Sequence, residues 1–342
     1  MTENTFIRAP VKSPPTARPI WLRPGPRGTS RVALGAYSLR KRAERWGLRN
    51  MEALNRMGAR FSVRDLYGAP GDTLLAAIVA RQIKERWPGL RLNFVTKNPD
   101  LVLHDPNLSQ INAAPGWFGL DFWYYDLQTR RDTRTNLLAP TFVQLGLAEG
   151  VYRGRVYLTA AERAAAREQL AGLARPLIAV NTLSAQPVKN WPLAQWLALT
   201  PELQKRGSLV HLGDKREPAL SGAKSFTGRA TKRESMALLA ECDLFVGPVT
   251  FLMHAANGLD VPGVVIFGGS HTPANAGYAA NVNLYAALPC SGCWLTGHPG
   301  SECPHELACM AAITPAAVLA AVDGLLAQPR ETIFEKSAKE AS

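Results

Sequence analysis

Long apolar runs are the first thing this sequence lacks: no stretch comes near the ~18 consecutive apolar residues that a membrane-spanning helix requires. The opening residues Met1–Pro10 hold no apolar segment of the kind that marks a secretory leader, so a soluble cytoplasmic protein is expected. Charged residues are modest at 19%, against 46% hydrophobic ones, a balance that excludes a disordered chain and supplies sizeable cores. Acidic residues are scarce in the first 60 positions, where 3 Asp+Glu face 13 Lys+Arg. From chain totals of 39 basic and 27 acidic residues, the remaining 282 positions keep 26 and 24, so the net +12 sits almost wholly in the leading segment. Nucleic-acid binding by the body is therefore not expected. The basic arm is suited to a membrane surface, an acidic partner or RNA, or it is a solvated extension that helps oligomer packing.

A length of 342 residues accommodates two domains of ordinary size. Residues 1–30, rich in Pro, Arg, Ser, Thr and Gly, read as a mobile arm, and 31–60 as a basic helical segment interrupted at Gly47. Strand and helix patterns then alternate. The first half offers strands around "RFSVRDLYG", 90–96, "LSQIN" and 121–127, with helices over 72–87 and 136–147. The second half repeats this with strands at 176–181, 208–213, 225–228, 244–247 and 263–269, and a last helix opening at Thr314-Pro315. Such alternation predicts an α/β protein with parallel sheets, built as two Rossmann-like domains, 61–170 and 171–330, facing a cleft, with a tail at 331–342.

Three segments have the chemistry of a site. In "YGAPGDTLLAA", glycines at the end of a strand allow close backbone approach, and Asp72 opens a helix; its carboxylate serves either as an ordinary helix cap or as a general base. In "VNTLSAQPVKNWPLAQW", Thr182, Ser184 and Gln186 precede Lys189, which stands just ahead of a helix N-terminus. A cation there opposes the helix dipole unless an anion, such as a phosphate, lies between; otherwise Lys189 is simply solvated. In "VGPVTFLMHAANGLDVPGVVIFGGSHTP", Thr250, Gly269 and Ser270 lie at two turns whose hydroxyls and N–H groups suit phosphates and a nucleoside, while His254 on its apolar helix reads as a core residue or a site residue. Gly213 closes another strand before "DKRE", which carries Glu217.

The order of "GD" after the first strand, "KNWP", "GDKRE" and "TG…ESMALLAECDLFVGPVTFLMHAANGLDVPGVVIFG" resembles glycosyltransferase family 9, which includes the ADP-heptose-dependent heptosyltransferases. The resemblance spans residues 60–326 and is strongest over 176–269. It implies the GT-B fold, an inverting transfer without an obligatory catalytic metal, an N-terminal acceptor domain and a C-terminal domain holding an ADP-sugar. Under it, Asp72 is the base, Lys189 neutralises the leaving diphosphate, Glu217 contacts the ribose, and Thr250 and His254 flank the diphosphate. Val249 stands where family members carry an aspartate. The acceptor would be a hydroxyl on a saccharide, glycolipid or protein. A non-catalytic nucleotide-sugar-binding or assembly protein and a nucleotide-sugar epimerase are the alternatives.

Cys290, Cys293, Cys303 and Cys309 gather in "CSGCWLTGHPGSECPHELAC". In a reducing compartment this spacing suits a closed four-thiolate site for iron or zinc, or else free thiols or a single bridge. Its CxxC-Trp and Cys-Pro elements are similar to the iron finger of enzymes that heptosylate bacterial autotransporter proteins, which implies a structural metal and a homo-oligomer. Cys242 reads as core.

Overall fold

The computed structural model describes residues 42–114, 116–122, 124, 132–147, 150–294 and 303–340. The arm expected over 1–30 and the centre of the cysteine segment, 295–302, lie outside them. Contacts divide the chain into two units. One holds the described residues up to Tyr124 with Leu138–Val151; the other holds those of 132–137 and everything from Tyr152 onward.

In the first unit, β1 (Arg60–Asp65), β2 (Arg91–Val95), β3 (Gln110–Ile111) and β4 (Phe118–Phe122) form a sheet in the order β3-β2-β1-β4. Every pairing is parallel, with Val63 beside Phe94 on one side and Leu120 on the other. Strands of this kind are covered on their faces, which is why Phe61, Val63, Leu92, Phe94, Leu120 and Phe122 are all fully buried. Helix Pro70–Arg86 returns the chain from β1 to β2 and buries Thr73 to Ala80 without a break. β4 begins three residues earlier than the aromatic run 121–127 suggested. Gly119 is what admits it: a Cβ there would lie 2.4 Å from Ser62 O and 2.6 Å from Arg64 Nη1.

The basic segment is partly a piece of this unit. A helix covers 42–49, running through Gly47 without interruption, and Met51–Arg56 forms a second one. Met51 and Leu54 are buried, and Gly47 packs on Phe118. Glu44, itself buried, accepts from Asp121 N at 3.0 Å and lies 3.6 Å from Arg64 Nη2, while Arg64 Nε donates to Asp121 Oδ1 at 2.5 Å. A buried guanidinium between two carboxylates thus ties the leading helix to β1 and β4.

The second unit is a parallel sheet in the order β10-β9-β8-β5-β6-β7, from β5 (Leu177–Val180), β6 (Ser208–His211), β7 (Lys224–Ser225), β8 (Leu244–Pro248), β9 (Gly263–Phe267) and β10 (Asn281–Tyr285). The stretch from Tyr152 belongs to it, and helix Ala160–Gln169 packs on helix Lys232–Ala240. Glu162 both completes the Thr159 capping box and accepts from Arg233 Nε at 2.6 Å, and these bonds hold its carboxyl down to about 2. At the far end, Arg330–Glu340 is a helix whose Ile333 and Phe334 are buried, and Arg330 donates to Leu259 O at 2.7 Å. Both sheets reverse their strand order, between β1 and β4 in one and between β5 and β8 in the other. Such switch points are where parallel sheets open a crevice at their carboxyl ends.

Replacing Asp121 by Ala leaves Arg64 buried with half its compensation, which should cost about 3–5 kcal/mol. Urea unfolding followed by Trp46 fluorescence, with Trp46 packed on Phe118 at 5.5 Å, reads the loss in the unit concerned. An unchanged midpoint would detach the leading helix from the sheet.

Candidate active site

At the carboxyl end of β5 the chain turns through Asn181, Thr182 and Leu183. Glu217 folds back beneath that turn with its carboxylate fully buried. It accepts from Asn181 Nδ2 at 2.6 Å, Thr182 N at 2.9 Å, Leu183 N at 3.1 Å and His211 Nε2 at 3.2 Å, and from Thr182 Oγ1. Both oxygens are met by protein donors, which gives Glu217 a structural role in this turn. Gly213 makes room for it: at φ +143 a Cβ would meet Glu217 Oε1 at 2.4 Å. Asn181 Oδ1 in turn accepts from Thr250 Oγ1 at 2.8 Å, linking β5 to β8 across the switch point. Thr250 holds the N-cap position of helix Phe251–Gly258, as expected, but its hydroxyl is spent on Asn181 and makes no cap bond. That helix start keeps its N–H groups uncapped by a side chain.

Lys189 ends a short 3-10 turn, Pro187–Lys189, shortly before helix Leu193–Gln204. Gly269 is pressed on this turn so closely that a Cβ would come within 1.8 Å of Val188 O. Ser270, at φ +77, donates from Oγ to Gln186 Oε1 at 3.0 Å. Ser184 N donates to Asn190 Oδ1 at 2.7 Å and shapes the other side of the loop. Thr182, Ser184, Lys189, Thr250, His254, Gly269 and Ser270 are thereby gathered at one edge of one sheet.

Two buried imidazoles lie near enough to feel the charge of Lys189. His254 Nδ1 shares a 2.7 Å hydrogen bond with Tyr278 Oη, and Tyr278 stacks on Tyr152 at 4.6 Å. Burial first, and Lys189 second, push His254 down to about 3. His271 is held well below its ordinary value by burial, Lys189 and His254. It was not singled out from sequence, since a lone His beside Ser-Thr-Pro reads as a turn. The Ser270 proton is committed to Gln186, so His271 Nδ1 donates to Ser270 Oγ at 2.9 Å, and buried Nε2 is an acceptor with no partner among the described residues. Val249, where a carboxylate was looked for, is buried. A cation amid neutral rings, two N–H-rich turns and an uncapped helix start can neutralise and orient a polyanion.

Asp72 lies in the first unit. It is the third residue of helix Pro70–Arg86, whose N-cap is Ala69, so the cap reading of its carboxylate does not hold. Its Oδ1 accepts from Tyr124 Oη instead. The preceding turn is pinned by Asp65, which accepts from Tyr67 N at 3.1 Å, Gly68 N at 2.9 Å and Thr73 Oγ1 at 2.6 Å.

The four clustered cysteines are all free, with Cys309 buried and the others half-buried. Cys293 Sγ accepts from Ser270 N at 3.2 Å, and Cys303 Sγ from Leu307 N at 3.4 Å. Burial pushes the Cys309 thiol up to about 11, helped by Cys290, Cys303 and Cys293. The four share a neighbourhood, yet among the described residues no three His, Cys, Asp or Glu side chains stand as a ready metal shell. Cys242 is core, fully buried, with Sγ donating to Leu238 O at 3.3 Å.

Residues 132–294 match the model of glycosyltransferase family 9 (heptosyltransferase). Among solved structures, a family 9 glycosyltransferase from Veillonella parvula is 15% identical with a TM-score of 0.61, over 79% of this chain and 98% of that one. TibC, an iron-containing dodecameric glycosyltransferase of enterotoxigenic E. coli, is 18% identical with a TM-score of 0.63, over 79% and 78%; it has also been solved with ADP-D-beta-D-heptose. E. coli ADP-heptose lipopolysaccharide heptosyltransferase II is 16% identical with a TM-score of 0.56, over 79% and 99%. No curated protein matches the chain. Two parallel sheets of this kind and these likenesses show the GT-B fold. The family 9 match over residues 132–294 includes the Lys189, His254 and Ser270 cluster.

Glu217→Gln puts an amide donor among protein donors and should destabilise the second unit by about 1–3 kcal/mol. Differential scanning calorimetry without nucleotide measures it, and an unshifted Tm would free Glu217 for a ligand after all.

Proposed function

We propose that the protein is an inverting heptosyltransferase that takes its sugar from ADP-heptose. The observation that carries this reading is Lys189, whose charge helps keep two buried imidazoles neutral, on a loop at the same sheet end as an uncapped helix start, inside the region that matches the family 9 model. A diphosphate is the anion that such a place fits. The ADP-heptose complex of TibC supports the same donor. Thr182, Ser184, Thr250, Gly269 and Ser270 belong to the donor side, with Nε2 of His271 ready to accept from a sugar or ribose hydroxyl.

In the proposed reaction Asp72 removes the proton of an acceptor hydroxyl, on a saccharide, glycolipid or protein. The oxygen attacks the anomeric carbon as the bond to the diphosphate oxygen breaks, inverting that carbon. ADP leaves with the electron pair, and Lys189 and the adjacent N–H groups balance its charge. The step needs no metal ion from the protein. A cytoplasmic location fits an ADP-sugar donor.

A structural iron or zinc at Cys290, Cys293, Cys303 and Cys309 completes the reading. Backbone N–H groups directed at two of the sulfurs and four thiols crowded together suit thiolates neutralised by a cation. When bound, the ion would cross-link the chain beside Ser270 and leave no open position for substrate. TibC, iron-containing and dodecameric, supports both the metal and a homo-oligomer.

Asp72→Asn should keep ADP-heptose binding while slowing ADP release by at least about a hundredfold, and Lys189→Ala should weaken ADP binding about tenfold or more. Calorimetry and a coupled ADP assay read these. Tight binding without wild-type turnover would make the chain a non-catalytic binding protein, and sugar rearrangement of the donor alone, seen by NMR, an epimerase. Metal analysis of the purified chain should find about one iron or zinc per chain, lost on combining Cys290→Ser with Cys293→Ser. A metal-free wild type would leave the four cysteines as plain thiols.

A further inference from the structure

Parallel strands have two unlike ends, and the proposed reaction leaves the amino end of the first sheet unused. Register puts Arg60 of β1 beside Arg91 of β2 and pairs Phe61 with Phe118, which sets Trp117 on the other side of Arg60. Met57 joins this row, because Arg91 Nε donates to the neighbouring Gly58 O at 2.8 Å. Met57 is 74% exposed and Trp117 75%, and both arginines are exposed as well.

The leading helix extends this edge. Glu44 meets Asp121 and Gly47 meets Phe118, so the helix runs antiparallel to β4 and its last residues arrive near Trp117. Its exposed stripe is Arg42, Trp46 and Arg49, a helical spacing that holds an indole between two guanidinium groups. Trp46 is 50% exposed although its ring lies 5.5 Å from that of Phe118. The acids of this region are engaged elsewhere: Glu44 is buried against Arg64, and Glu52 pairs with Arg86 at 2.7 Å. Three large apolar side chains therefore stand in water among four arginines.

Single exposed apolar residues are ordinary, but three along one basic edge mark a contact surface. An anionic bilayer satisfies both kinds of group at once. Indoles settle in the headgroup region, a thioether gains by entering the acyl boundary, and guanidinium groups meet lipid phosphates. A strand of RNA could use the arginines and stack on the indoles, but it offers nothing to Met57. We propose that this edge, with Trp46, Met57 and Trp117 among Arg49, Arg60 and Arg91, docks on an anionic lipid surface. The contact belongs to the folded unit and not to the arm at 1–30.

Co-sedimentation of the full chain with vesicles of phosphatidylethanolamine and phosphatidylglycerol tests this, with phosphatidylcholine vesicles as the uncharged control. The chain should bind the anionic vesicles and be released by about 0.5 M salt. Binding should weaken about tenfold or more when Arg60→Gln is combined with Arg91→Gln. Met57→Ser combined with Trp117→Ser should weaken it comparably while leaving the thermal midpoint in place, since both side chains already face water. Bromine-labelled phosphatidylglycerol should quench tryptophan emission, and less so in Trp117→Phe, which keeps an apolar ring. Wild-type vesicle binding by both double variants would move the contact to the arm and overturn the proposal. Undiminished quenching in Trp117→Phe, equal binding to both vesicle types, or capture of single-stranded RNA in place of anionic vesicles would overturn it too.

Discussion

A single buried carboxylate organises the carboxyl end of the second sheet. Glu217 accepts from the turn after β5 and from His211 on β6, and through Asn181 it reaches Thr250 at the end of β8. A negative charge without solvent is tolerable only where donors converge on it, and the donors here are the strand-end groups that would otherwise be unpaired at the mouth of a parallel sheet. The loop holding Lys189 and the helix start at Phe251 take their positions from this knot. Gly269, forced against Val188 O, closes the other side.

The electrostatics of that edge are simple. Burial keeps His254 and His271 neutral, so near neutral pH the positive charge of the cluster comes from Lys189 and from backbone dipoles. Neutral rings can exchange hydrogen bonds with a ligand without titrating as it arrives. Cys293, bonded to Ser270 N, and Trp294, stacked on His271 at 5.0 Å, bring the cysteine segment against the same turn. The conformation of that turn is thus physically coupled to that of the cysteine segment.

Much of the second sheet was legible because its strands are uniformly apolar between punctuating glycines and prolines. β10 was not: Asn281, Val282 and Asn283 are half-buried at a sheet edge, and their mixed polarity carries no strand signal. Helix Arg330–Glu340 was hidden for a similar reason, having little apolar content apart from Ile333 and Phe334. The charge count set the basic segment apart from the body, yet a single buried Glu44 decides that its helix belongs to the first sheet. Charge totals average over a surface and say nothing about which one residue points inward.

From sequence alone came the alternating parallel architecture, the two glycine-bearing turns, the lysine ahead of a helix, and the family resemblance, since each depends on local pattern and order along the chain. Tertiary structure decided which polar groups face protein and which remain for a ligand. It turned Glu217 inward, released Asp72 from capping, and brought Tyr124 and His271 to their partners. Those assignments depend on groups far apart in sequence meeting at strand ends, where the cost of an unpaired buried atom selects the partner, and no local pattern records that choice.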